Sequence, residues 1–149
     1  MKNLGSMEVL SEIRLRLRSV RVDDHARWGK MSAKRMMRHL ACSYEVALGD
    51  RTVEPVPGLP PVLMKWLALR SGLRWARNMQ TTPELKRAIA ESSDADFELV
   101  VRWTVEAMEL VARGERSAPT HPMFGPMTLE DWQRWGYLHA DHHLRQFGR

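Results

Sequence analysis

The chain has 149 residues, a length that fits one domain able to bury a hydrophobic core without covalent staples. Its single cysteine, Cys42, excludes an intrachain disulfide, and the arginine-rich opening stretch has no apolar run that would mark a signal peptide or membrane anchor. Lys plus Arg outnumber Asp plus Glu by 23 to 18, a formal charge of +5, yet bases and acids are interleaved without a Cys/His finger or aromatic-basic platform, so nucleic-acid binding is not expected.

Residues 8–20 form the first expected helix, with Leu10, Ile13, Leu17 and Val20 on one face and Arg14, Arg18 and Arg21 turned away. Asp23 and Asp24 open a loop that runs through Trp28 and Gly29. Ser32 is a good N-cap for a second helix that continues to Leu48 and stops at Gly49. Ala33, Met37, Leu40, Tyr44 and Ala47 make its apolar stripe, and His39 falls at the stripe's border. A histidine there can be a metal ligand at the bundle seam or a satisfied boundary side chain. Cys42 has no surrounding pattern that would lower its pKa, which favours a structural thiol over a nucleophile.

Residues 51–61 contain four prolines and a glycine, the composition of an irregular crossover. Residues 62–70 follow as a short helix too apolar to be left in water, serving as a lid, a mobile substrate cover or a dimer contact. The stretch 71–92 is a basic connection in which Thr82-Pro83-Glu84 resembles a helix start. Arg70, Arg74, Arg77, Lys86 and Arg87 could clamp a carboxylate or phosphate if they converged; otherwise they are solvated. Ser92 or Ser93 begins the third long helix, ending at Arg113, whose stripe of Phe97, Val100, Val101, Thr104, Met108 and Val111 is architectural. A Pro/Gly-rich loop carrying His121 then leads to Thr128, the cap of a final helix reaching Phe147.

At about 100° per residue, Trp132, Trp135, Gly136, His139, His143 and Gln146 share one face of that last helix. His139 and His143 stand one turn apart, from which two imidazoles can reach a single ion. Two core imidazoles hydrogen-bonded to neighbouring helices would have the same spacing. Gly136 is expected to leave open space beside them. A catalytic zinc site usually takes three protein ligands, so a third must come from elsewhere in the chain. No alternation builds a sheet, and the pattern is that of an all-α four-helix bundle with a partly helical crossover after the second helix.

Three stretches, WGKMSAKRMMRHL from Trp28, HPMFGPMT from His121 and YLHADHHLRQFG from Tyr137, are similar to the DUF1569 branch of the DinB-like superfamily. The resemblance spans nearly the whole chain and implies a single DinB-like bundle over residues 1–149, with a metal held by His39, His139 and His143. Superfamily members include metal-dependent thiol transferases and a thiol-dependent isomerase. The implied function is therefore a metal-dependent enzyme that transfers a low-molecular-weight thiol to an electrophilic small molecule, using zinc or nickel. A metal-dependent hydrolase and a non-catalytic metal- or ligand-binding bundle are the alternatives.

Around such a site His142 is a proton-transfer group, a fourth ligand or a helix contact. Gln146 orients a ligand or a bound water, or packs. His121 approaches from the preceding loop or only fixes the turn, and Trp28 and Tyr44 wall the pocket or fill the core. No carboxylate has the offset of an obvious general base, since Asp141 projects nearly opposite His139. A cytoplasmic protein acting on a small-molecule substrate is expected, without a membrane partner; a homodimer through one bundle face is left open.

Overall fold

The computed structural model describes residues 1–77, 82–91 and 94–149, the side chain of Glu91 excepted. Each amphipathic stretch within them folds as a helix. Helix α1 (Met7–Arg18) buries Val9, Ile13 and Leu17. Helix α2 (Ala33–Leu48) begins where the Ser32 hydroxyl accepts the Arg35 N–H and ends at Gly49, whose φ of 81° needs no Cβ. Helices α3 (Pro61–Leu69) and α4 (Pro83–Glu91) belong to the crossover. Helix α5 (Phe97–Arg113) starts at Asp96, whose carboxylate accepts the Glu98 and Leu99 N–H groups. The start expected at Ser92 or Ser93 lies outside the described residues; Asp96 caps the helix as it stands.

Helix α6 (Leu129–Gln146) opens with a reciprocal capping box, in which Thr128 Oγ1 accepts the Asp131 N–H and Asp131 accepts the Thr128 N–H. Strands β1 (Thr120–His121) and β2 (Gly125–Pro126) pair antiparallel as a two-residue ladder that closes the turn before α6. No larger sheet forms among the described residues. Four residues are too few to carry an alternating pattern.

Helices α1, α2, α5 and α6 form the bundle, a DinB-like four-helix arrangement with α3 and α4 inserted between its second and third members. Both α1 and α2 pack on α5 and α6, which places the first two helices across the bundle from each other. Trp132, Tyr44, Ile13, Leu17, Met36, Met37, Met108 and Leu144 fill the centre and are excluded from solvent. No described helix is long and apolar enough to cross a membrane.

One packing expectation is overturned. A Cβ on Gly136 would lie 2.7 Å from Leu4 Cδ1 and 3.3 Å from Tyr44 Cε1. The missing side chain admits these neighbours and leaves no open space. Helix α3, read from sequence as a lid, a mobile cover or a dimer contact, leaves Val62 74% and Trp66 56% exposed. It is held by buried Leu69 and by polar anchors: Lys65 Nζ lies 3.1 Å, and an Arg70 Nη2 3.0 Å, from the buried Asp131 carboxylate. Burial would raise the Asp131 pKa, but the Thr128 N–H and these two cations hold it below the ordinary carboxylate value. Arg70 therefore clamps a carboxylate of its own chain.

Candidate metal centre

Three imidazoles meet between α2 and α6. His139 and His143 rise from consecutive turns of α6 with ring centroids 5.0 Å apart, and His39 of α2 completes the triangle at 5.0 Å and 4.8 Å. One ring nitrogen of each lies within 4.8 Å of the other two, and His39 Nε2 is 3.0 Å from His139 Nε2. The seam position of His39 brings it to the closing-helix pair, a juxtaposition local periodicity could not decide.

All three rings are buried. Burial pushes the His39 pKa down to about 4 and those of His139 and His143 well below the ordinary histidine value, with neighbouring imidazoles adding to the effect. Neutral rings are the ligand form, so protons offer little competition for these nitrogens at neutral pH.

The tautomer of His143 follows from its partners. Gln146 Nε2 lies 2.8 Å from the Trp28 carbonyl, which can only accept, so the amide oxygen must face His143 Nδ1, 2.9 Å away. Nδ1 then carries the hydrogen, and Nε2 keeps its lone pair for the cluster. The Nδ1 atoms of His39 and His139 are buried without a partner.

The donor set fits a divalent transition metal. Bonds of about 2.0–2.1 Å in a tetrahedral array place ligand nitrogens roughly 3.3 Å apart, within the range spanned here. No carboxylate joins the group among the described residues. Asp141 instead bonds Arg16 at 3.0 Å and Arg145 at 2.8 Å.

Aromatic rings enclose the trio. Trp135 lies 4.9 Å and Trp75 5.8 Å from the His139 ring. Half-buried His142 packs against His143 at 5.1 Å and lies between Trp28 at 6.0 Å and Trp75 at 6.2 Å, outside the three-ring group. Burial, then Arg145, lowers its pKa. Trp75 had no sequence signal, because it sits in an irregular stretch without periodicity. Arg77 stacks over Trp28 at 4.5 Å.

His121 stacks on Phe124 at 4.2 Å, and its Nδ1 accepts the Met123 N–H. It lies behind Trp135, 5.6 Å from that ring, and burial pushes its pKa down to about 3. Tyr44 is wholly buried and donates to the Gly136 carbonyl at 3.0 Å, a core role that fixes α2 against α6 one turn before His139. Cys42 is also buried, which raises its thiol pKa.

A helical bundle with three buried histidines from its second and last long helices defines a DinB-like protein with a site compatible with metal binding. The chain belongs to the DUF1569 family, described as "Protein of unknown function (DUF1569)", whose model matches residues 3–149. Searches of curated proteins and of solved structures found no significant match.

Proposed function

We propose that His39, His139 and His143 hold one divalent transition metal, zinc or nickel, and that the protein is an enzyme transferring a low-molecular-weight thiol to an electrophilic small molecule. The observation that carries this reading is the convergence of three buried, neutral imidazoles with no carboxylate among them. Such a ligand set leaves the cation's charge largely uncompensated and favours an anionic sulfur partner. The ion, when bound, supplies Lewis acidity and lowers the pKa of a thiol or water that reaches it. The protein's own thiol is buried with a raised pKa, so the reacting sulfur comes from a cosubstrate.

Gln146 is a positioning residue, holding His143 in the tautomer that leaves Nε2 free. Trp28, Trp75 and Trp135 restrict water around the trio. His142, half-buried beside His143, accepts or returns the proton at its own imidazole. His121 acts at one remove, by buttressing Trp135.

Hydrolysis is the second reading, favoured by the three-histidine donor set, which also serves zinc enzymes that activate water. The assay is consumption of 1-chloro-2,4-dinitrobenzene by metal-loaded protein, with and without 2-mercaptoethanol, alongside hydrolysis of p-nitrophenyl acetate. Thiol-dependent, metal-dependent consumption is expected. Turnover of the ester alone would favour hydrolysis, and no turnover of either would favour a binding role.

A further inference from the structure

Away from the three histidines, positive charge collects on one face of α6. Arg134, Tyr137, Leu138, Asp141 and Arg145 recur at helical spacing and form a single stripe along that helix. The stripe is the floor of a groove of about 460 Å³, walled by the crossover loop from Gly72 to Trp75 and by Lys2. None of the three clustered histidines lines it. Trp75 is pinned in place by its Nε1–H, which donates to the Ala68 carbonyl at 2.9 Å, and its ring lies 5.8 Å from that of His139. The groove and the cluster thus share one aromatic wall.

Four cations line this space, Lys2, Arg74, Arg134 and Arg145, against one carboxylate, Asp141. Glu12 accounts for Lys2 at 2.6 Å, and Asp141 is divided between Arg145 at 2.8 Å and Arg16 at 3.0 Å. With Glu12 and Arg16 included, five cations still stand against two acids. Arg134 has no carboxylate partner among the described residues. It is half-buried over the Tyr137 ring, and its hydrogen bonds end on neutral acceptors: Nε on the Leu69 carbonyl at 3.2 Å and Nη1 on the Lys2 carbonyl at 2.6 Å. Arg74 is exposed and likewise has no acid beside it among the described residues. Arg134 Nη2, both Nη atoms of Arg145 and the Tyr137 hydroxyl have no described hydrogen-bond partner, and none of them is sealed from water. Leu73, Trp75 and Leu138 supply apolar surface beside these open donors. The volume is in the ordinary range for small-ligand sites.

We propose that this groove binds a small organic dianion, its charges paired with the guanidinium groups of Arg74, Arg134 and Arg145 and its apolar body lying against Leu73, Trp75 and Leu138. Guanidinium donors that are unused and reached by solvent suit the oxygens of a carboxylate or phosphate. A single negative charge would leave most of the local excess uncompensated.

The test is calorimetric titration of the full chain, zinc-loaded and metal-stripped, with phenyl phosphate, 4-carboxyphenylacetate and phenylacetate. The first carries its double charge on one head, the second carries it at two ends, and the third is a monoanion. In both forms of the protein at least one dianion is expected to bind about tenfold or more tightly than phenylacetate, the scale of one added charge-assisted hydrogen bond. Whichever dianion leads shows whether the charges belong together or apart. Arg74→Ala breaks no described contact and should weaken that dianion by about two- to fivefold, the scale of an exposed ion pair. Arg102→Ala removes the same charge from the exposed side of α5 and should leave the affinity unchanged. Arg134→Gln should cost about tenfold or more. A smaller preference for both dianions, no binding of either, or binding confined to the zinc-loaded chain overturns the proposal. So does an Arg74→Ala protein that binds no more weakly than Arg102→Ala, and this comparison stands even if Arg134→Gln fails to fold. A folded Arg134→Gln that keeps the wild-type affinity also overturns it.

Discussion

Replacing Gln146 with methionine separates a positioned metal ligand from a merely buried ring. The side chain keeps its length and apolar packing, but two hydrogen bonds disappear: the one to His143 Nδ1 at 2.9 Å and the one to the Trp28 carbonyl at 2.8 Å. Each leaves a buried or half-buried polar group unpaired, at about 1–3 kcal/mol apiece, so the metal-free variant should lose about 2–6 kcal/mol of stability. Loss of the tautomer-fixing contact should also lower metal affinity by about 10- to 100-fold. Gln146→Glu gives the contrast. Its carboxylate can still accept from Nδ1–H but has no hydrogen for the Trp28 carbonyl, so affinity should stay within a few-fold of wild type while stability falls. Chemical denaturation of stripped protein reads the first quantity, and competition with a chromophoric zinc chelator reads the second. A Gln146→Met protein that binds zinc with wild-type affinity would refute the reasoning.

Acid should unfold the metal-stripped chain early. The folded-state pKa values of His39, about 4, and His121, about 3, lie below the unfolded value near 6.5. As pH falls below 6.5 the unfolded chain takes up protons that the folded chain refuses. Stability is therefore full above that pH and declines below it, by up to about 1.4 kcal/mol per pH unit for each of these histidines. Denaturation midpoints measured between pH 7 and 4.5 check the slope, and a flat profile would contradict it. Asp131→Ala removes one half of the α6 capping box and the shared partner of Lys65 and Arg70, so it should destabilise the fold by about 2–3 kcal/mol. It should also speed proteolytic cleavage around α3; wild-type cleavage rates would show that α3 is held by other contacts.

What could be read from sequence was what depends on local repeats. Residues four apart on a helix must stack, so the His139–His143 pair and the bundle class were legible. Ser32, Thr128 and Gly49 marked helix ends because caps are chemically local. His39 needed a tertiary fact, the packing of α2 against α6, and entered through a family resemblance. The burial of Arg38 escaped because α2 is covered on two sides. Its apolar stripe faces the bundle, while Cys42 packs with Leu85, Ala88 and Ile89 of the crossover. The small residues Ala41, Cys42 and Ser43 were the available signal that something packs closely there. Gly136 was misread because a missing side chain looks the same in sequence whether it makes a cavity or admits a neighbour; Leu4, far away in the chain, decided it. The partners of Asp131 were similarly hidden, since Lys65 and Arg70 meet it only in the folded chain.

The most direct test of the account is elemental analysis of protein purified without an affinity tag, for wild type and for His39→Ala, His139→Ala and His143→Ala. One zinc or nickel ion per chain is predicted for wild type, with occupancy severely reduced in each variant while the helical spectrum persists. Stoichiometric metal retained by all three variants, or a wild-type chain that cannot be loaded with either ion, would contradict the three-histidine centre.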